Sequence, residues 1–265
     1  MKSEQITEIT DRATDHLVAA LNAGHSEALT SYLKAIGRFH HYSLHNVMLI
    51  ASQKPNASYV AGFRTWSQLG RFVKKGEKGI LILAPIVRRK AENDEDHQEA
   101  SASVAGFRAA YVFDVSQTDG QELPHIGIVQ GQPREYHERL RAFAEAQGIS
   151  VEYSSEIAPA RGVSSGGRIK LLPGQSDAEE FSTLAHELAH ELLHRGDRRG
   201  TTSRRTRETE AEATAFVVCH AIGLETGSAA TDYIQLWNGD AHLLTDSLGH
   251  VRQAAAQMLT ALTDG

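Results

Sequence analysis

The sequence contains a single cysteine, Cys219, in 265 residues. That excludes an internal disulfide framework and suits a reducing cytosol. Long apolar runs are also missing, and nothing approaches the roughly 18 residues that a membrane-spanning helix needs. The opening Met1-Lys2-Ser3-Glu4-Gln5 begins a polar amphipathic stretch without an apolar signal core. A cytoplasmic location with no membrane partner is expected. No internal repeat is present, which excludes solenoid and propeller arrays.

A net basic charge is absent too: the formal charge is −6. The balance is uneven along the chain. Residues 1–124 carry 14 basic and 14 acidic side chains, whereas residues 125–265 carry 13 and 19. Between Val60 and Lys90 lie eight basic residues, Arg64, Arg71, Lys74, Lys75, Lys78, Arg88, Arg89 and Lys90, against the single acid Glu77. A mildly acidic chain can therefore hold a local basic groove.

Hydrophobic periodicity predicts helices over about Ser3–Asn22 and Ser26–Arg38, and a third after an N-cap at Ser43 that ends before Pro55. Arg71-Phe72-Val73 and Gly79–Leu83 flank Lys74-Lys75-Gly76-Glu77-Lys78 and read as a β-hairpin with a basic turn. Residues Arg89–Ser103 read as a polar loop, Phe107–Val115 as a strand and Gln117–Gly120 as a turn. Helices are predicted over about Arg134–Gln147, Asp177–His194, Arg207–Ile222 and Ala241–Leu262. Strands are predicted at Ile149–Tyr153 and Gly167–Leu172, around a Gly/Ser-rich loop. The fold class is α+β, with N-terminal helices and a small antiparallel sheet followed by a second domain of helices and short strands. The boundary is placed near 125–132, giving domains 1–128 and 129–265.

The run Leu184-Ala185-His186-Glu187-Leu188-Ala189-His190-Glu191-Leu192-Leu193-His194 holds two overlapping HExxH frames. Residues four apart share a helix face, so two imidazoles can grip one ion. The glutamate beside the first histidine can act as general base on a metal-bound water. The 186–190 frame is preferred, because its histidines sit mid-helix, whereas the 190–194 frame ends at Arg195-Gly196. His186 and His190 are then the histidine ligands and Glu187 the base of a zinc metallopeptidase.

A third ligand in such sites commonly comes from a second helix. Glu208, Glu210 and Glu212 compete. Glu208 and Glu212 share a face, and Glu210 points away by about 200° of helix rotation. Glu208 is preferred as ligand, with Glu212 orienting a ligand histidine from behind. Glu210 reads as part of a solvated, acidic first turn.

Together these residues carry a resemblance. Glu208-Thr209-Glu210-Ala211-Glu212 after the histidine pair resembles the ExxA(D/E) element of thermolysin-like gluzincins. The second half is similar to the ImmA/IrrE group of small bacterial metallopeptidases. Tyr42-Ser43-Leu44-His45-Asn46, Val60–Trp66, Val73–Gly79 and Tyr111–Thr118 resemble the N-terminal domain of ArdC-type antirestriction proteins. This resemblance implies a single-stranded DNA-binding fold fused to a zinc peptidase-like domain, in proteins known for protecting plasmid DNA from restriction. In one place the pattern departs. ArdC proteins usually carry a tryptophan-bearing segment after the histidine pair, where this chain has Glu191-Leu192-Leu193-His194.

Strand binders combine a basic groove with aromatic platforms. The candidate DNA-contacting residues are Tyr42, Asn46, Arg64, Trp66, Arg71, Lys74, Lys75 and Lys78. Phe63 and Phe72 are expected in the core, and Trp66 reads equally as core or platform. A second basic run, Arg195, Arg198, Arg199, Arg204, Arg205 and Arg207, either extends the DNA path or is a solvated loop. By analogy with zincins, Gly167–Leu172 is expected to be the edge strand that pairs with a peptide, and Gly162–Gly166 a flexible lip. Three functions remain open: a peptidase acting on DNA-associated proteins, a non-catalytic DNA shield with structural zinc, and a regulatory peptidase that cleaves a repressor. The protein substrate is not legible.

Overall fold

In a computed structural model the described residues are 3–23, 26–89, 102–121, 133–224 and 241–263. The expected loop between Arg89 and Ser103 falls largely outside them, as does the connection after Gln121. The chain forms two compact units that interleave in sequence. Residues 1–16 and 48–124 make one, and residues 17–47 and 125–265 make the other. The division at residue 128 is thus corrected: residues 17–47 belong with the C-terminal residues. The cause is the apolar face of α2 (Ser26–Arg38), whose Leu29, Leu33 and Ile36 are buried against α8 (Arg204–Ala221) and α9 (Ala241–Thr263). Gly37 permits the close approach, since a Cβ there would lie 3.1 Å from the Val217 carbonyl. Helices α1 (Ser3–Asn22) and α3 (Leu44–Gln53) each run from one unit into the other. Ser43 caps α3, its hydroxyl accepting from the Asn46 amide.

The first unit is built on an antiparallel sheet ordered β1-β4-β3, with β1 at Val60–Gly62, β3 at Ile80–Arg89 and β4 at Ala102–Asp114. The register slips between Ile86 and Val87, opposite Gly106 and Val104, so Ala105 is the extra residue of a bulge. A short helix, α4 (Phe63–Gln68), buries Trp66 completely, and its indole Nε1 donates to the Phe113 carbonyl at 2.9 Å. The expected hairpin around the lysine turn does not form. Instead β2 (Arg71–Val73) pairs with β5 (Thr118–Gly120), where a turn was expected, and β3 pairs with β4.

The reason is a polar hub at the end of β4. Buried Asp114 accepts from the amides of Ser58, Tyr59 and Ser116. Burial pushes its pKa up, but those bonds and the Ser116 hydroxyl outweigh it and hold the carboxyl below the usual range. Asp114 and Gln117 form a capping box on the 3₁₀ turn Val115–Gln117. The Gln117 side-chain amide donates to Glu77 and to the Lys78 carbonyl, and the Gln117 backbone carbonyl accepts from the Lys74 amide. The lysine turn is thus bound to the β4–β5 corner rather than closing a hairpin.

In the second unit, α5 (Pro133–Ala146), α6 (Asp177–Leu193), α8 and α9 pack together beside a mixed sheet. The sheet order is β6-β8-β7, for Ser150–Tyr153, Arg168–Leu171 and Gly162–Ser164. β6 and β8 are parallel, whereas β7 is antiparallel to β8. This corrects two expectations. Gly167–Leu172 holds the central strand, and the edge strand lies inside the supposed lip. A Ser176–Glu179 capping box starts α6, whose apolar face buries Phe181, Leu184, Ala185, Leu188 and Ala189. Ser203 caps α8 through the Thr206 amide. No helix among the described residues is long and apolar enough to cross a membrane.

Candidate metal centre and nucleic-acid surface

Helices α6 and α8 pack face to face and bring His186, His190 and Glu208 together, with ligand atoms within 4.8 Å of one another. His186 Nε2 lies 3.1 Å from His190 Nε2. Glu208 Oε2 lies 3.7 Å from the first and 3.6 Å from the second. A tetrahedral ion with imidazole and carboxylate bonds near 2.0–2.1 Å places its ligand atoms about 3.3 Å apart. The triangle therefore fits a divalent cation with a fourth position open.

Proton placement gives the same answer. Glu212 Oε2 sits 3.4 Å from His186 Nδ1. A carboxylate only accepts, so Nδ1 carries the proton and Nε2 turns its lone pair to the cleft. On the other side, His190 Nδ1 lies 3.0 Å from His194 Nδ1, and His194 Nε2 lies 2.9 Å from Glu210 Oε2. With one proton on His194, placed toward Glu210, its Nδ1 is an acceptor, His190 Nδ1 donates to it and His190 Nε2 also presents a lone pair. Two nitrogens and a carboxylate oxygen converge as acceptors, an arrangement that calls for a cation. Burial and the neighbouring His186 hold His190 down, to about 4. Burial works against protonation of His186, but the Glu212 bond and the charges of Glu187, Glu212 and Glu208 together outweigh it and its pKa is raised.

Glu187 is buried beside the triad, and burial raises its pKa against the opposing pull of His186 and of the Ser164 amide and hydroxyl. Those bonds tie the base to edge strand β7. One turn on, Glu191 accepts from the amides of Gly166 and Gly167 at 2.9 and 2.8 Å and is paired with Arg195. Both glycines have positive φ, 67° and 95°, which favours residues without a Cβ. Glu187 and Glu191, four apart on α6, clamp the β7–β8 turn, so the expected lip is a pinned hairpin. The sequence reading missed Glu191, although its place on the Glu187 face was a readable signal.

Glu210 is corrected from solvated to buried. It takes a bidentate pair from Arg198, both bonds at 2.7 Å, together with His194 and the Ser247 hydroxyl. Burial raises its pKa, but these partners outweigh it and hold the carboxyl near 2. The basic run divides accordingly. Arg195 and Arg198 are paired, Arg207 donates to the carbonyls of Arg199 and Thr202, and Arg199, Arg204 and Arg205 are exposed.

The nucleic-acid candidates separate as sharply. Trp66 is core, not platform. Asn46 is buried and Tyr42 half-buried, and both lie in the second unit. Arg71 is held by Thr118 and the Gln121 carbonyl. Arg64, Lys75 and Lys78 are exposed, as is Lys74, which reaches the Ser116 carbonyl and Asp119. Phe63 and Phe72, expected inside, are 61% and 62% exposed, and Tyr111 is 60% exposed. Short elements explain this. β2 half-buries Arg71 and Val73 on one face and turns Phe72 to the other, and in α4 Trp66 fills the core position. Tyr111 lies against Gly79, where a Cβ would come within 2.9 Å of its own.

Residues 5–113 match the family model for the N-terminal domain of anti-restriction factor ArdC. The fold is similar to that of the antirestriction ArdC protein from the R388 plasmid. Its metal-free structure aligns with a TM-score of 0.56 at 21% identity, over 96% of this chain and 98% of that one. Its Mn(II)-bound structure aligns at 0.55 and 20%, with the same coverage. An uncharacterised Bacillus anthracis protein is 26% identical over 98% of this chain and 52% of its own length. The uncharacterised protein y4eC of Sinorhizobium fredii is 27% identical over 57% of this chain and 54% of its own length. The chain thus spans about half the length of the curated relatives it matches.

Proposed function

We propose that the chain is a zinc-dependent metallopeptidase of gluzincin type joined to a single-stranded DNA-binding unit, acting on DNA-associated proteins in an antirestriction setting. The observation that carries the reading is the convergence of His186, His190 and Glu208 as acceptors beside a buried Glu187. A bound divalent ion supplies a Lewis acid and acidifies a water. His186, His190 and Glu208 hold it, with Glu212 and the His194–Glu210 pair fixing the imidazoles. Glu187, its pKa raised, accepts the proton of the attacking water and returns it to the leaving amine. Two imidazoles and one carboxylate suit zinc. Mn(II) in the R388 protein supports a divalent ion at this fold. The peptidase class rests on the HExxH run His186–His190 with Glu208 brought beside it. A shield with a structural ion gives no account of a base held in place by Ser164.

The DNA part rests on the exposed Phe63, Phe72 and Tyr111 in the same unit as Arg64, Lys74, Lys75 and Lys78. The antirestriction part rests on the family model over residues 5–113. The deciding experiment incubates zinc-loaded protein with a protein substrate, with and without single-stranded DNA, beside Glu187→Gln. The parent should cleave and the variant should keep its zinc but not cleave. Equal cleavage by both removes Glu187 from the chemistry.

A further inference from the structure

The cleft in front of the triad has three kinds of wall. Its floor is Glu187, His190 and Glu208. One side is edge strand β7, Gly162–Ser164. Arg199, Arg204 and Arg207 complete the lining, around a volume of about 380 Å³. Three guanidinium charges therefore face two carboxylates before any cation is counted. Arg207 is pinned by its bonds to backbone carbonyls. Arg199, on α7 (Asp197–Thr201), and Arg204, in the first turn of α8, are exposed.

The β7 wall favours an extended peptide. In the β7–β8 ladder Leu172 donates to Arg161 and Ser165 donates to Arg168. Antiparallel pairs alternate, so Val163 also turns its backbone to β8, while Gly162 and Ser164 turn theirs outward. The Ser164 amide is taken by Glu187. The Gly162 amide and carbonyl and the Ser164 carbonyl face a strand that could be added here.

We propose that this cleft selects an extended peptide bearing a carboxylate, read by Arg199 and Arg204. The inference rests on the peptidase reading of the same site and names its substrate class. A peptide brings one or two carboxylates to the arginine side and leaves the floor free. A nucleic-acid strand would bring a phosphate at every residue, some of them against Glu187 and Glu208.

The test measures binding, so that it reads out whether or not hydrolysis occurs. Fluorescent peptides are titrated against zinc-loaded Glu187→Gln. One has an internal Asp and an amidated C-terminus, one is neutral with a free C-terminal carboxylate, and one is neutral and amidated. A fourth carries Lys in place of Asp. At least one carboxylate peptide should bind about tenfold tighter than the neutral amide, and which one does so identifies side chain or C-terminus as the source. Adding Arg199→Glu and Arg204→Glu should abolish that preference and make the Lys peptide the tighter ligand. Misfolding cannot produce such an inversion, and circular dichroism checks the fold. Equal binding of all four peptides overturns the proposal. So does an arginine-dependent preference for a short oligonucleotide over the acidic peptides. Tight acidic binding without cleavage by the Glu187-bearing protein leaves this inference standing and sinks the peptidase reading instead.

Discussion

His194 Nδ1 lies 3.0 Å from His190 Nδ1, so a histidine outside the metal set fixes which nitrogen of a ligand faces the cleft. Buried Glu210 sits behind it and half-buried Arg198 behind that, a chain that passes through the interior of the second unit. Partners of this kind hold ring orientation and tautomer, and losing one typically costs about 10–100-fold in metal affinity. His194→Phe should therefore weaken zinc binding by about that factor while leaving a stoichiometry of one. His186→Ala, His190→Ala and Glu208→Ala should each remove the site. Competition titration against a chromophoric chelator measures both. Undiminished affinity in His194→Phe would show that His190 needs no such support.

The Glu210 network also governs acid stability. Its carboxyl is held near 2, far below its ordinary 4.5. A depressed carboxylate contributes stability that is fully present above the unfolded pKa and lost as pH falls through the folded one. The second unit should therefore lose stability progressively from about pH 5 down to about pH 2. Glu210→Gln strands Arg198 beside a neutral amide, and breaking a buried pair this way costs about 3–5 kcal/mol. Denaturant titrations from pH 7 to pH 3 should show the gap between parent and variant narrowing toward acid. A constant gap would mean that the charge on Glu210 contributes nothing.

The helices of this fold were legible because their apolar periodicity is long, and α1 and α2 run over the expected residues. The grouping of His186, His190 and Glu208 was legible for a related reason: four-residue spacing places His186 with His190, and Glu208 with Glu212, whatever surrounds them. Pairing of short strands was not. Arg71–Val73 and Ile80–Arg89 look like hairpin partners from their spacing, but Gln117, some 40 residues on and boxed in by Asp114, binds the intervening turn and redirects both strands. Burial at single positions was equally hidden. Phe63 and Trp66 belong to one short helix, and only the position of the sheet beneath decides which ring goes in. Glu210 read as a surface acid because its partners, Arg198, His194 and Ser247, come from three other parts of the chain.

Gly162 is a position where one methyl group should separate metal binding from chemistry. A Cβ there would meet Thr183 Cγ2 at 2.6 Å and Glu187 Cγ at 2.8 Å. Glu187 cannot retreat freely, since it is buried and fixed by Ser164, and Thr183 is held by its bond to Gln175. Gly162→Ala should displace the Glu187 carboxylate, and overpacking of this kind costs about 1–3 kcal/mol. Zinc stoichiometry should persist, because the atoms nearest the new Cβ belong to Thr183 and Glu187 and neither is a proposed ligand, while peptide hydrolysis should drop toward the Glu187→Gln level. A variant that cleaves at the parent rate would show that the base tolerates the shift.

The first unit offers a sharper test of strand binding than the lysines alone, because its aromatic rings divide cleanly by burial. Phe63, Phe72 and Tyr111 are exposed and Trp66 is enclosed. If exposed rings stack on bases, Phe72→Ala and Tyr111→Ala should each cost about 1–3 kcal/mol of single-strand affinity. Neither should lower the melting temperature, since neither ring fills core space. Trp66→Ala should do the reverse first. It removes the largest buried side chain of the unit and its bond to the Phe113 carbonyl, at about 3–5 kcal/mol of stability. Any DNA binding it loses should follow unfolding. Replacing Lys75 and Lys78 by Gln should instead lower affinity for all sequences and flatten the salt dependence by about 0.7 for each phosphate that is no longer neutralised. Fluorescence anisotropy of labelled oligonucleotides over a salt series, paired with thermal melts, separates the three classes. Exposed-ring variants that bind like the parent would leave charge alone to hold the strand, and duplex DNA should then compete as well as single strands.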